Sequence, residues 1–157
     1  MSFIFQAVPK RYDLRTRMKP GLRVSWLASR YRKQMKKGDI VYFWLGGDPS
    51  ERGLYGWGII SADAPKLYEG RGYRIEIEYR RNFLDRKPPK HVSSEDIRKD
   101  PFLNNHLIFR MPVGTNFLLT DEEDQALRAI IARELGEGWS PSRPTVGGGG
   151  RQWKVKK

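Results

Sequence analysis

Cysteine is absent from this chain of 157 residues, and histidine occurs only twice, as His91 and His106. Without a thiol there is neither a disulfide nor a thiolate metal site, so a reducing compartment such as the cytosol suits the sequence. The two histidines do not stand at ligand spacing, and we expect no metal. The phosphate-loop patterns GxGxxG and GxxxxGK[ST] are also missing, and we expect no cofactor.

Long apolar runs and catalytic motifs are missing as well. The segment MSFIFQAVPKRYD is too short in apolar residues for a signal peptide, and no stretch approaches the ~20 residues of a membrane helix. There is no GxSxG nucleophile elbow. Glu76 and Glu78 alternate with basic residues, which is typical of solvated ion partners rather than of an acid–base pair. We therefore expect a cytoplasmic protein, associated with the nucleoid if bacterial, that is not an enzyme and has no membrane partner.

Positive charge is what the chain has in excess, since 30 lysines and arginines stand against 18 acidic residues, a net charge of +12. The basic residues concentrate at 10–37 and 71–90, whereas acidic residues gather at 121–137. A basic face separated from an acidic one is typical of a phosphate-binding surface, so nucleic acid is the leading partner. A solvated face or a surface for an acidic protein stays open. The expected phosphate-binding residues are Lys10, Arg11, Arg15, Arg17, Arg30, Arg32 and Lys33.

Alternating and helical spacings predict an α+β domain. The helices fall between and after the strands without regular alternation, which favours a small, strongly bent or closed sheet. Residues 1–138 form the predicted domain, and 139–157, rich in proline, glycine and charge, form a predicted disordered basic tail or linker. Strands are predicted at 3–8, 38–46, 53–62, 73–83 and 107–112, with 38–46 and 53–62 antiparallel and a bulge or close approach at the glycines of the latter. Helices are predicted at 25–35, 93–100 and 120–135, the last with a capping box of Thr120 and Glu123.

Segments spread along most of the chain resemble an EVE domain, a member of the PUA-like superfamily related to the YTH domains. The resemblance runs in order from about residue 3 to about residue 135. It implies a small twisted PUA-like β-barrel of about five to six strands flanked by helices, with a pocket for one modified base. The segments are FQAVPKRYD at 5–13, VSWLASRYRKQMKKGDIVYFWLGG at 24–47, RGLYGWGII at 52–60 and GTNFLLTDEEDQAL at 114–127.

The same resemblance implies which residues form that pocket. Trp26, directly after Ser25, matches the tryptophan that usually forms one wall. The opposite wall follows the second barrel strand in the relatives, where this chain has Tyr68 in place of a tryptophan, and Trp44 is the alternative. Trp57, between two glycines on a strand, is expected in the core.

Asp63 and Gln6 are candidates for hydrogen bonds to the Watson–Crick edge of the base, because a carboxylate accepts from an exocyclic amine. The implied function is a non-catalytic reader of 5-methylcytosine or 5-hydroxymethylcytosine in DNA that acts by base flipping. Such a reader could serve a modification-dependent restriction or defence system in which a separate nuclease or motor chain is the partner. A reader of modified RNA and a small metal-independent PUA-like ribonuclease stay open as alternatives.

Overall fold

The computed structural model describes residues 1–111 and 113–136, so the tail predicted at 139–157 lies outside the described residues. Two single-turn 3₁₀ helices, Phe83–Asp85 and Leu107–Phe109, lie in the connections between the longer elements. The strands are β1 (Ser2–Ala7), β2 (Arg23–Leu27), β3 (Ile40–Leu45), β4 (Gly53–Ile60), β5 (Lys66–Tyr68), β6 (Gly72–Asn82), β7 (Val92–Ser93) and β8 (Asn116–Leu119). The helices are α1 (Leu14–Arg17), α2 (Ser94–Arg98) and α3 (Asp121–Leu135).

The strands form one mixed, curled sheet whose main path runs β2–β6–β4–β3–β1–β8. β1 is parallel to β3, and the other pairings are antiparallel, including the predicted pairing of β3 with β4. The register shifts at Tyr55 of β4 in the pairing with β3, and between Trp57 and Gly58 in the pairing with β6, so β4 is irregular near its glycines as predicted. At Gly56 and Gly58 an added Cβ would collide with the carbonyl oxygens of Arg81 and Glu78, so this close approach of strands requires glycine. The α+β class is confirmed.

The two edge strands of this open sheet, β2 and β8, are joined by one side chain. Asn116 Nδ2 donates to the carbonyl oxygen of Leu27 at 3.0 Å, and Asn116 Oδ1 accepts from the backbone N–H of Ser29 at 2.9 Å. Asn116 is completely buried. We call the gap between β2 and the facing ends of β1 and β8 the seam, and Asn116 bridges the seam at one end.

Both sides of the sheet are covered, because neighbouring side chains on a strand point to opposite faces. On β3, Tyr42 and Trp44 face α3, whereas Phe43 faces the inside of the curl. We call these two clusters the helix-side core and the inner core. Trp57 is buried in the helix-side core, as predicted. The inner core also holds Phe3, Phe5, Trp26, Val41, Leu45, Ile75, Ile77 and Tyr79.

Two predicted elements are wrong. Residues 25–27 belong to β2 rather than to a helix at 25–35, because the alternation of Val24 and Trp26 pairs this segment with β6. The predicted strand at 107–112 contains a 3₁₀ helix instead, which His106 caps by accepting from the backbone N–H of Ile108. The strand in this part of the chain is β8, for which no prediction was made. Helix α3 begins at the predicted capping box and ends at Gly136, where φ is +66°.

Candidate functional site

A cavity of about 580 Å³ opens along the seam. This volume lies within the range of small-molecule sites, roughly 300–1,000 Å³. One wall comes from β2 and β6, the other from the end of β1 and the segment before β8, and the loop after β1 closes a third side. The lining residues are Gln6, Ala7, Val8, Arg11, Tyr12, Ser25, Trp26, Leu27, Arg74, Val113, Gly114 and Thr115.

Trp26 forms the aromatic floor of the cavity and is 8 % exposed. Its ring packs against Phe5, Tyr12 and Phe43 with centroids 5.4–5.7 Å apart. Its indole N–H donates to the hydroxyl of Tyr79 at 3.0 Å, and that hydroxyl is 2.8 Å from the hydroxyl of Tyr12. Burial raises the pKa of Tyr79, so the hydroxyl stays protonated. The indole is therefore held in one orientation, with its ring and not its N–H available to a ligand.

Strand β2 turns toward the cavity the backbone groups that do not bond to β6. Ala28 donates its N–H to Tyr73 O at 2.9 Å, and Leu22 O accepts from Tyr79 N at 3.0 Å, so the even-numbered residues of β2 bond to β6. In an antiparallel ladder the intervening residues, Ser25 and Leu27, point their N–H and C=O groups the other way. Both carbonyls have donors, but no described residue accepts from the two N–H groups. The edge thus presents two amide donors.

Arg74 is held at the mouth of the cavity by Ser25. Its Nε donates to Ser25 Oγ at 3.0 Å and its Nη2 to Ser25 O at 2.9 Å. Burial, and then the nearby charge of Arg71, lower the pKa of Arg74. Among the described residues neither Arg74 nor Arg11 has a carboxylate within ion-pair distance. Two guanidinium groups without a counterion beside one cavity favour an anionic ligand.

Gln6 lies on the opposite wall. Its backbone N–H donates to Thr115 O at 2.8 Å, and its side-chain Nε2 donates to Gly114 O at 2.6 Å. An added Cβ at Gly46 would approach Gln6 Oε1 within 2.8 Å, so the side chain is packed tightly between the two glycines. The Gln6 amide is therefore a fixed polar group rather than a flexible one.

The structure brings Trp26, Ser25, Gln6 and Arg11 together at the cavity, and it does not bring Trp44, Asp63 or Tyr68 there. Trp44 is 1 % exposed and packs against Phe109 in the helix-side core, because strand alternation directs it away from the seam. Asp63 is exposed in the loop after β4. Tyr68 lies on β5, which pairs with β6 outside the cavity.

The expected phosphate-binding residues have different surroundings. Arg15 is occupied by carboxylates, with Nε 2.8 Å from Asp13 and Nη1 3.3 Å from Glu51. Arg17 lies over the ring of Tyr12, a lining residue, at 5.3 Å. Lys10 and Lys33 are exposed. Arg30 and Arg32 lie over the rings of Tyr31 and Tyr73.

Arg74 was not among the predicted site residues, because its place in the alternation of 73–83 favoured a solvated strand face. Only the pairing of Leu27 with Arg74 across β2 and β6 moves it to the cavity. No group of three or more His, Asp or Glu within the described ranges could hold a metal ion. Nor does any helix in these ranges have the length and apolar character to cross a membrane.

Comparisons with known proteins bear on the fold. No protein-family model and no curated protein matches the chain. An X-ray structure of a protein from Agrobacterium tumefaciens is 18 % identical with TM-score 0.66, covering 92 % of this chain and 99 % of that one. An NMR structure from Rhodopseudomonas palustris is 13 % identical with TM-score 0.63, covering 82 % and 91 %. A hypothetical protein from Leishmania major is 14 % identical with TM-score 0.60, covering 85 % and 96 %. At these identities the likeness shows a shared fold alone.

Proposed function

We propose that this protein is an EVE-type, PUA-like reader that takes one modified base of a nucleic-acid strand into the seam cavity. The observation that carries the proposal is that residues expected on two different grounds line one cavity. Trp26, Ser25 and Gln6, which the resemblance singled out, and Arg11, which the charge pattern singled out, line the same cavity. On this proposal the curled sheet is a small barrel that Asn116 closes, and the cavity lies where the barrel is open.

The walls suit an extruded base. Trp26 and Tyr12 offer aromatic surface, and stacking on such a surface is worth ~1–3 kcal/mol per base. The amides of Ser25 and Leu27 fit acceptors on a base edge, such as the ring nitrogen and carbonyl oxygen of cytosine. A methyl-sized group packed against the floor discriminates by about 1–3 kcal/mol. We propose 5-methylcytosine or 5-hydroxymethylcytosine in DNA as the preferred ligand.

The positive charges at the cavity mouth suit the phosphates on either side of that base. Arg11 and Arg74 stand on different elements of the cavity mouth, and neither is neutralised by a described carboxylate. Phosphate contacts position a strand without reading its sequence, which leaves the reading to the cavity. The proposal is a binding function, and any enzymatic outcome belongs to a separate nuclease or motor chain.

The test is binding at one moderate salt concentration to matched DNA oligonucleotides carrying cytosine, 5-methylcytosine, 5-hydroxymethylcytosine or methyladenine at a single position. We expect one modified cytosine to bind at least about tenfold tighter than cytosine, a difference of about 1.4 kcal/mol. The variant Trp26→Ala should lose that preference. Trp44→Phe, a change at a sealed tryptophan, is the matched control and should keep it.

Equal binding of all four oligonucleotides would contradict the proposal. A second arm uses RNA with and without methyladenine, and tighter binding there would reassign the reader to RNA. Cleavage of RNA by the purified protein in chelator would replace the reader with a metal-independent ribonuclease.

A further inference from the structure

Tyr68 lies outside the cavity but on the same face of the sheet as two of its lining residues. The register pairs Tyr68 with Gly72, Lys66 with Arg74, and Arg74 with Leu27. Residues directly opposite each other on paired strands project to the same face. Leu27 and Arg74 line the cavity, so this face continues from the cavity onto the β5–β6 hairpin.

The ring of Tyr68 is accessible, with 43 % of the residue exposed. Its cross-strand partner Gly72 has no side chain to cover it. A Cβ built at Gly72 would lie 3.7 Å from Leu27 Cδ1, and Leu27 itself is 37 % exposed. Tyr68, Gly72 and Leu27 therefore form one uninterrupted apolar strip that leads to the cavity mouth.

Positive charge surrounds this strip. Arg71 is the last residue of the hairpin turn, and its backbone N–H donates to Tyr68 O at 2.9 Å. Arg71 and Arg74 are close enough for the charge of Arg71 to lower the pKa of Arg74. Neither has an ion-pair partner among residues 1–111 and 113–136. Lys66 adds a third cation on this face. Two acidic residues lie nearby: Glu69 in the turn, and Glu76, which follows Arg74 on the same face of β6. Glu76 already accepts from Ser61 Oγ at 2.9 Å and lies 4.0 Å from Arg23. Arg74, fixed by Ser25, and the exposed Arg71 three residues before it both lack a carboxylate partner in the described ranges, which favours an anion near them.

We propose that the hairpin face formed by Lys66, Tyr68, Arg71 and Arg74 binds the nucleotide next to the one whose base enters the cavity. Tyr68 stacks on the neighbouring base, and Arg71 and Arg74 bind the phosphate that links the two nucleotides. This inference rests on the proposed function for the occupant of the cavity. It extends the footprint to two nucleotides, and the outer contact tolerates any base because every base has a face to stack.

The test combines protein variants with altered oligonucleotides in fluorescence anisotropy titrations. Each oligonucleotide is single-stranded DNA with one modified cytosine, intact or with an abasic site directly 5′ or directly 3′ of it. The variants are Tyr68→Ala, the conservative Tyr68→Phe, and Leu67→Ala as control. Leu67 is 66 % exposed on the same hairpin but on the opposite face, so its truncation changes exposed apolar area without touching the strip.

We expect Tyr68→Ala to weaken binding of the intact oligonucleotide by about tenfold, and one of the two abasic sites to weaken wild-type binding by a similar factor. The two effects should not multiply, because each removes the same stack. Tyr68→Phe and Leu67→Ala should bind like the wild type. Unchanged binding by Tyr68→Ala, or multiplying effects, would overturn the inference.

The preference for the modified over the unmodified cytosine, measured in the same titrations, tests the proposed function separately. A preference without a Tyr68-dependent stack overturns the hairpin site and leaves the reader intact. A Tyr68-dependent stack without a preference leaves the hairpin site intact and removes the reader. Displacement of the DNA by polyglutamate that depends on Tyr68 would reassign the face to an acidic protein and overturn the inference.

Discussion

The helix-side core and the inner core share the strand β3 but differ in how they are closed. Trp44 and Tyr42 lie under helix α3, where Tyr42 donates to Asp124 Oδ1 at 2.7 Å and Arg128 pairs with Asp124 at 2.8 Å. Trp26, on the inner side, lies on the edge strand β2, which one side chain, Asn116, ties to β8. One aromatic cluster is sealed, and the other opens into a cavity.

This difference separates aromatic residues that stabilise the fold from those that can meet a ligand. The indole N–H of Trp44 has no hydrogen-bond partner in the described part of the chain, whereas that of Trp26 donates to Tyr79. A tryptophan whose polar atom is anchored keeps a fixed ring face at the edge of a cavity. Strand alternation, not aromatic content, decides which ring has that role.

The largest expected effect is on the sealed side. Trp44→Ala removes a fully buried indole and should lower the free energy of unfolding by about 3–5 kcal/mol, measured by urea denaturation. The folded fraction should keep its preference among oligonucleotides. A loss of less than about 1 kcal/mol, or a lost preference in the folded fraction, would erase the distinction between the two cores.

Removing the bridge across the seam should have the next largest effect. Asn116→Ala leaves the Leu27 carbonyl and the Ser29 N–H without their partner, which should cost about 2–3 kcal/mol of stability. Hydrogen exchange should accelerate in β2 and not in β3. Asn105→Ala, at an exposed asparagine, is the control and should change neither quantity. Unaltered exchange in β2 would show that other contacts hold the seam.

Much of the fold was predictable where the determinants are local. Helix α3 follows from a capping box and helical spacing, and β3, β4 and the alternating part of β6 follow from hydrophobic pattern. The helix predicted at 25–35 failed because pairing with β6, some 50 residues away in sequence, outweighs local helix propensity. Strand β8 was missed because four residues carry too little pattern to be recognised.

The residues of the candidate site likewise divide into those that the sequence predicts and those that only the strand pairing reveals. Trp26, Ser25 and Gln6 followed from resemblance to a family, and Arg11 followed from charge density. Arg74 could not be found from the sequence, since its role depends on the register between β2 and β6. The position of Tyr68 outside the cavity depends on the β5–β6 hairpin, which was not predicted.

A smaller effect is expected from comparing two arginines: Arg74, which lies at the cavity, and Arg15, whose charge is taken up by ion pairs within the protein. Arg74→Gln should weaken binding to DNA by about tenfold and lower the salt slope of log Kd by about one, because one phosphate contact is lost. Arg15→Gln should leave both quantities unchanged, since Asp13 and Glu51 already neutralise Arg15. The measurement is a titration at several salt concentrations. Equal losses in the two variants would contradict the placement of the phosphate contacts.

The smallest effect at neutral pH comes from tyrosines buried in both cores. Burial raises the pKa of Tyr42 and of Tyr79, and it raises the pKa of Tyr55 to about 12. The folded state holds these hydroxyl protons more tightly than the unfolded chain does. Their contribution to the free energy of unfolding is therefore complete below pH ~10, and it is lost as the pH rises through the pKa values of the folded state. Tyrosinate absorbance should show late titration of these residues together with alkaline unfolding. Titration of all tyrosines near pH ~10 in a folded protein would contradict their burial.

The most direct measurement of the central claim follows the indole N–H signals of Trp26 and Trp44 by NMR, assigned with single Trp→Phe variants. The titrants are two short DNA strands that differ only in one cytosine or 5-methylcytosine. The account predicts that the Trp26 signal shifts with the methylated strand and much less with the unmodified one, while the Trp44 signal stays in place. A saturating methylated strand that leaves Trp26 unchanged would show that no modified base enters the seam cavity. Equal shifts with the two strands would show that the cavity does not read the modification.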